Sequence, residues 1–282
     1  MALRQRSSKR GLDEPLLDAD DDEASPSRTE SRETEQNVEW DGLRPCLVEG
    51  FYTCAKLLVG LARRLGLMST PPITLTPTQE RTLKHLWDRI RVPFDGSLEE
   101  HQMELRRLWR AAYGDRELPA LKTPLWKEMG WQGEDPGTDF RAAGFISLEN
   151  LIFLGEQQPD VFQRLLTKSD GERSDWEYPF CVAGVNITFM LVDVLQLRKE
   201  PAIPDNAPSR GFFALVEMDE HAFENLYCAT FELLDRQWLL QKATYMEFSG
   251  VMAATRKVVE EALTDFNCKS AEELYDHLRT AC

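Results

Sequence analysis

Thr76-Pro77-Thr78-Gln79-Glu80-Arg81-Thr82-Leu83-Lys84-His85-Leu86-Trp87-Asp88-Arg89-Ile90 is the stretch whose reading decides the fold class. Thr76 and Gln79 have the spacing of a capping box, and Pro77 stands at the first helical position, where its missing N–H costs nothing. Leu83, Leu86, Trp87 and Ile90 then recur at helical intervals on one face. The same pattern returns along the chain. Ser97-Leu98-Glu99-Glu100 reads as a second box, followed by Met103, Leu105, Leu108, Trp109 and Ala112 and closed by Gly114. A third helix runs over 147–156, with Leu148, Leu151 and Ile152 on one face. Residues 159–168 make a short helix and 179–197 a long apolar one. Asp219 opens another, carrying Phe223, Leu226, Tyr227, Phe231, Leu234 and Trp238. Residues 245–263 follow, and Ser270 starts a last helix with Leu274 and Leu278. Residues 211–216 could form one short strand, but no partner strand offers itself. The body therefore reads as all-α, with about eight to ten helices.

Outward from this body the composition changes. The 282 residues carry a net charge of −15, unevenly spread. Arg4, Arg6, Lys9 and Arg10 make the first ten residues basic, whereas residues 11–39 hold eleven acidic and two basic side chains. Residues 1–39 lack aromatics and cannot bury enough apolar surface to offset ordering entropy, so a disordered acidic N-terminal segment is expected. Residues 40–74 read as an amphipathic helix and linker, 75–245 as the core of a single multi-helix domain, and 246–282 as C-terminal helices packed on it. In the stretch 45–67, Phe51, Leu57, Leu58, Leu61 and Leu65 fit one apolar face, and Glu49, Lys56, Arg63 and Arg64 keep it from spanning a bilayer. That face could pack on the domain or, with Lys56, Arg63, Arg64 and the basic residues 4–10, make weak peripheral membrane contact. The run 180–197 holds only Asp193 as a charge and fits a buried helix better than a span.

Several chemistries are set aside. An acidic chain without clustered Lys and Arg is a poor nucleic-acid binder. The six cysteines have no C-x-x-C spacing and only four histidines accompany them, so no metal site is expected, and the thiols read as reduced, several within helical cores. Neither a secretory leader nor a lipid anchor is expected, since the first residues turn polar and acidic, Ala2 stands where myristoylation needs Gly, and Arg279-Thr280-Ala281-Cys282 is not a prenylation box. No phosphate-cradling loop and no dinucleotide, nucleophile-elbow or zinc-protease motif occurs, so no cofactor is expected. His85, His101, His221 and His277 are isolated on predicted helices and read as surface or half-buried residues.

One segment remains: Trp131-Gln132-Gly133-Glu134-Asp135-Pro136-Gly137-Thr138-Asp139-Phe140-Arg141-Ala142-Ala143-Gly144. It is dense in turn formers, and it sets one Arg between a Phe and small residues. Trp131, Phe140 and Phe145 can anchor the loop, while Ala142, Ala143 and Gly144 let another surface approach the backbone. Two readings stay open. Arg141 could be presented outward, its planar fork suited to carboxylate or phosphate. It could equally pair with Asp139, Asp135 or Glu149 and staple the loop to the next helix.

The same residues resemble the signature of the ELMO (engulfment and cell motility) domain family. The resemblance rests on Trp131-Gln132-Gly133, Asp135-Pro136, Thr138-Asp139-Phe140-Arg141, Gly144, and Ser147-Leu148-Glu149-Asn150-Leu151. The helix from Thr76 to Trp87 and the run Tyr178-Pro179-Phe180-Cys181-Val182-Ala183-Gly184-Val185-Asn186-Ile187-Thr188 are similar to the family's opening and long apolar helices. The resemblance implies an all-helical domain over roughly 75–245. It also implies a function. Short single-domain members of the family are GTPase-activating proteins for small GTPases of the Arf and Arl type, and the Arg that ends Thr-Asp-Phe-Arg is essential in them. By that resemblance Arg141 is an arginine supplied in trans to a GTP-bound Arf/Arl GTPase, and the chain itself is no enzyme. Thr138, Asp139, Asp135 and Gly133 would orient its loop, Trp131, Phe140 and Phe145 would anchor it, and Gln132, Glu149 and Asn150 would contact Arg141 or the partner. The pattern departs at Ala142, where family members often carry Gly. Larger family members are scaffolds for exchange factors, and an adaptor that binds a GTPase without accelerating it is the competing expectation. The implied setting is a cytoplasmic, monomeric protein that visits membranes.

Overall fold

The computed structural model describes residues 73–265 and 267–281. The expectations for 1–39, for most of 40–74 and for Cys46 and Cys54 lie outside the described residues. Within them are nine α-helices, three 3₁₀ turns and no strand. The helices are α1 (Pro77–Ile90), α2 (Glu99–Tyr113), α3 (Ile146–Gln157), α4 (Pro159–Thr167), α5 (Phe180–Val194), α6 (Ala207–Val216), α7 (Ala222–Gln241), α8 (Phe248–Thr264) and α9 (Ala271–Thr280). The 3₁₀ turns span Pro124–Met129, Pro136–Arg141 and Tyr245–Glu247. The body is all-helical, as its sequence implies.

The caps explain the boundaries. Thr76 accepts from the Gln79 amide at 3.2 Å and donates its own amide to Gln79 Oε1 at 3.0 Å, so the capping box of α1 is complete. The Ser270 hydroxyl accepts from the Glu273 amide at 3.3 Å and caps α9, while the Glu273 carboxylate accepts from the Lys269 amide at 2.8 Å instead of closing the box on Ser270. The second expected box does not form. Ser97 gives both its amide and its hydroxyl to the Asp95 carboxylate, at 2.9 and 2.7 Å, and Leu98 becomes the residue before α2. Asp95 wins because its short side chain closes a local turn before the helix begins. α3 starts one residue earlier than expected, at Ile146, and Asp219 ends up outside α7, its carboxylate accepting from the His221 amide at 2.8 Å.

The expected strand over 211–216 is a helix. Asn206 caps α6 by accepting from the Ser209 amide at 3.1 Å, and Pro208 sits in its first turn. The Gly-Phe-Phe run suggested extended chain, but the Asn-x-Pro-Ser start and the fit of Gly211 against α8 favour the helix. A Cβ at Gly211 would lie 1.9 Å from the Leu263 carbonyl oxygen.

The core centres on α3, which buries Leu148, Leu151 and Leu154 together with Ser147 and Asn150. α3 packs on α2 and on the apolar α5; α5 packs in turn on α7, and α8 and α9 cover α6 and α7. Close approach is built in by small residues. A Cβ at Gly184 of α5 would meet the Tyr227 hydroxyl at 2.6 Å and Leu151 at 2.7 Å. Inside this contact the Asn150 amide donates to the Thr188 hydroxyl at 3.0 Å. Cys181 and Cys228 are buried free thiols, pushed up in pKa by burial, and Cys268 is half-buried. No described helix is long and apolar enough to cross a membrane.

Gly211→Ala should lower the unfolding free energy by about 3 kcal/mol, because a backbone carbonyl cannot move aside as a side chain would. At Gly250 of α8 an added methyl would find nothing within 4 Å, so Gly250→Ala should instead stabilise by about 0.5–1 kcal/mol. Urea unfolding of the two variants checks both signs.

Candidate functional site

The site is assembled from the segment between α2 and α3. Thr123 and Glu134 close it by a backbone hydrogen bond of 2.9 Å. Gly130, at φ 80, turns the chain where a Cβ would sit 2.4 Å from the Phe180 amide nitrogen, so only glycine fits. Trp131 and Phe140 are buried, their rings 5.0 Å apart edge to face, and Phe140 also packs on Phe94 at 4.7 Å. Such aromatic pairs add geometric definition beyond area burial.

The 3₁₀ turn Pro136–Arg141 is held at each end. The Asp135 carboxylate accepts from the Gly137 amide at 3.0 Å and pairs with Lys122 at 2.7 Å. The Thr138 hydroxyl donates to the Asp135 carbonyl at 2.9 Å. The Asp139 carboxylate reaches back to accept from the Gln132 amide at 3.0 Å. At the far end, the Gly144 amide donates to the Phe140 carbonyl at 2.7 Å and the Phe145 amide to the Val92 carbonyl at 2.9 Å. Gly144 has φ 75, and a Cβ there would lie 2.8 Å from the Val92 oxygen.

Arg141 ends this turn and is exposed. Among the described residues its side chain makes no hydrogen bond and no salt bridge. The three carboxylates that could have paired with it are engaged elsewhere. Asp135 holds Lys122, Glu149 holds Arg89 at 3.0 Å, and Asp139 holds the Gln132 amide. Arg141 reaches Asp139 only through its field, which favours the carboxylate; burial outweighs this and lifts the Asp139 carboxyl above its ordinary value. Arg106 and Arg110 also stand exposed on α2 without a salt bridge among the described residues, but on a regular helix face. Arg141 differs in standing beside a groove of about 530 Å³, with Lys122, Gln102, Ser97 and Thr138 around an apolar floor of Phe94, Leu105 and Leu121.

Other expected residues fall differently. Gln132 is exposed and its side chain is available to a partner. Asn150 is fully buried against Thr188, so it cannot contact a partner or Arg141. Helical phase explains this: a position that follows Glu149 turns into the core of a helix buried on most of its surface. Gly133 does not orient the loop by a special backbone conformation; Gly130 and Gly144 do that. Phe145 is half-buried and anchors by stacking on His101, ring centroids 3.9 Å apart. His101 is itself buried, not superficial, and its Nδ1 accepts from the Asp95 amide at 2.9 Å. Among the described residues no group of three or more His, Cys, Asp or Glu is arranged to hold a metal.

The sequence reading missed Lys122, Phe94 and Arg198. Arg198 follows α5 and donates from Nη2 to the Ala142 carbonyl at 2.6 Å. It lies 56 positions from the carbonyl it holds, and nothing in spacing marks it.

Fold and site define an all-helical domain that presents, from a clamped turn, an Arg left unpaired among the described residues. The ELMO/CED-12 family profile matches residues 76–252, and the chain belongs to that family. It is 33% identical over 207 residues to ELMO domain-containing protein C of Dictyostelium discoideum, covering 71% of this chain and 32% of that protein. With mouse (Mus musculus) ELMO domain-containing protein 2 it shares 29% identity over 147 residues, covering 52% of this chain and 47% of the relative. With mouse engulfment and cell motility protein 3 it shares 24% over 199 residues, covering 66% and 27% respectively. The chain thus spans less than half the length of each of these relatives.

Folding raises the Asp139 pKa, so what this carboxyl contributes to stability is fully present below its unfolded pKa and is lost as pH rises through the folded one. Asp139→Asn keeps an oxygen to accept from Gln132 and removes the buried charge. The variant should gain in melting temperature relative to the parent between about pH 4 and pH 7. Thermal melts at the two pH values decide it, and a relative loss at pH 7 would show that the charge itself holds the loop.

Proposed function

We propose that the chain is a GTPase-activating protein for a small GTPase of the Arf/Arl type, and that Arg141 is the arginine it supplies in trans. One observation carries the reading: Arg141 stands exposed, and unpaired among the described residues, at the end of a turn whose backbone is pinned on both sides. An Arg used as a loop staple would spend its fork on a neighbouring carboxylate, and the two nearby, Asp135 and Asp139, are otherwise engaged.

The mechanism is electrostatic. The partner holds GTP and magnesium in its own phosphate-binding loop. Charge develops on the transferred phosphoryl group as the bond to the leaving oxygen loosens. A guanidinium brought to that group from outside the GTPase stabilises the charge and helps hold the attacking water in line. Pinning the turn before docking lowers the ordering cost of placing the fork, leaving only the side-chain torsions to settle. Arginine fingers are worth ~10³–10⁵ in rate, about 4–7 kcal/mol. The division of labour also accounts for a chain with no phosphate-cradling motif of its own. In this reading the protein works in the cytoplasm, as a monomer, against a GTP-bound partner at a membrane surface.

Single-turnover GTP hydrolysis across a panel of Arf and Arl proteins tests it. The wild-type chain should accelerate at least one member, and Arg141→Lys should lose about a thousandfold of that acceleration while still binding, because Lys keeps the charge but not the planar fork. If the chain binds a GTPase and accelerates none, the adaptor reading replaces this one. Equal acceleration by Arg141→Lys would move the finger to another residue.

A further inference from the structure

We propose that Arg198 is a positioning residue for Arg141, holding the carbonyl immediately after it so that the fork points away from the domain. The inference rests on the finger reading given above and assigns to a second side chain the control of that finger's direction.

Four observations meet here. The Arg198 Nη2 donates to the Ala142 carbonyl at 2.6 Å, a short charge-assisted bond. The guanidinium carbon lies 4.7 Å above the ring of Phe189, so the fork is fixed by an aromatic face as well as by its acceptor. Phe189 is 39% exposed, on the one stripe of α5 that also carries half-buried Val182 and Asn186 and exposed Asp193, so its ring is available at the surface as a platform for the cation. The backbone that carries Arg198 is itself fixed. The Leu195 and Leu197 amides donate to the Leu191 and Val192 carbonyls at 2.9 and 3.0 Å, and Gln196 adopts φ 53 to turn the chain.

The consequence is mechanical. Upstream of Arg141 the turn is tied by Asp135 and Asp139; downstream, the Gly144 and Phe145 amides tie the chain to Phe140 and Val92. Between these anchors, the carbonyl of Ala142 is held by Arg198 across a gap of 56 residues in sequence. Without that bond the Ala142–Ala143 peptide, one removed from Arg141, can rotate, and the backbone that aims the finger loosens with it. The methyl of Ala142 already narrows the backbone relative to a glycine, and Arg198 completes that restriction. With the Ala142 carbonyl held and Gly144 fixed at φ 75, Arg141 keeps mainly its own side-chain torsions.

Two measurements test this on the full chain. The first is amide hydrogen exchange of Gly144 and Phe145 in wild type, Arg198→Ala and Arg198→Lys, without any partner. Arg198→Ala should speed exchange at these two amides about tenfold, with the Leu195 amide unchanged as an internal control. Arg198→Lys, which can still donate to one carbonyl, should recover part of the protection. The second is the concentration dependence of accelerated GTP hydrolysis. Arg198→Ala should lower the maximal rate about tenfold and leave the half-saturating concentration within about twofold, because it misdirects the finger without removing a docking contact. Unchanged exchange at Gly144 and Phe145 overturns the clamp whatever hydrolysis does. Faster exchange with an unchanged maximal rate overturns its role in positioning. A wild-type chain that accelerates no GTPase sinks the finger reading itself, an outcome the exchange measurement keeps distinct from failure of the clamp.

Discussion

Everything in the described domain is arranged around the burial of α3 between α2 and α5. The contact is tight because Gly184 lets Leu151 and Tyr227 approach to distances that any Cβ would block. Inside it, the Asn150–Thr188 bond gives two polar side chains a partner that water can no longer supply. This fixes more than the core. Phe145 and Gly144 lead directly into α3, so the position of that helix sets where the segment carrying Arg141 must end.

The site is therefore a consequence of packing on one side and of local turn chemistry on the other. Trp131, Phe140 and Phe94 sink one face of the turn into the domain. Asp135 satisfies a backbone donor that a short 3₁₀ turn would leave open, and Asp139 reaches out of the turn to the Gln132 amide. With those carboxylates spent on amides and on Lys122, Arg141 is left without a local staple. The charge balance is local too. At this turn a chain of net charge −15 offers an anion the exposed guanidinium of Arg141, while the fork of nearby Arg198 is occupied by a carbonyl. Net charge governs long-range encounter, whereas recognition of a developing phosphoryl charge depends on groups within a few ångströms.

Family membership and geometry bear on different questions. The match over 76–252 establishes what kind of domain this is. The relatives are longer proteins of which this chain matches a part, so their names do not transfer an activity. What favours a GTPase activator is the way Arg141 is held.

Most of the helical architecture was legible in the sequence, because capping boxes, apolar periodicity and glycine stops are written in neighbouring residues. Thr76 with Gln79, Ser270 with Glu273, and Gly114 after α2 act within four positions of one another. Where two local rules competed, the expected one lost: the box expected at Ser97 gave way to the turn closed by Asp95, and the short strand considered over 211–216 gave way to a helix capped by Asn206. The turn-rich segment and its single Arg were also legible, and its aromatics Trp131 and Phe140 are buried. What the sequence could not contain was the allocation of partners. Whether Arg141 pairs with Asp135, Asp139 or Glu149 depends on where Lys122, Arg89 and the Gln132 amide arrive. That Asn150 faces inward and that Arg198 grips Ala142 depend on how α3 and α5 cross. Local order follows from residues a few positions apart, so the sequence determined it; the exposure of one guanidinium is a competition among charges distant in the chain, and only the tertiary structure decided it.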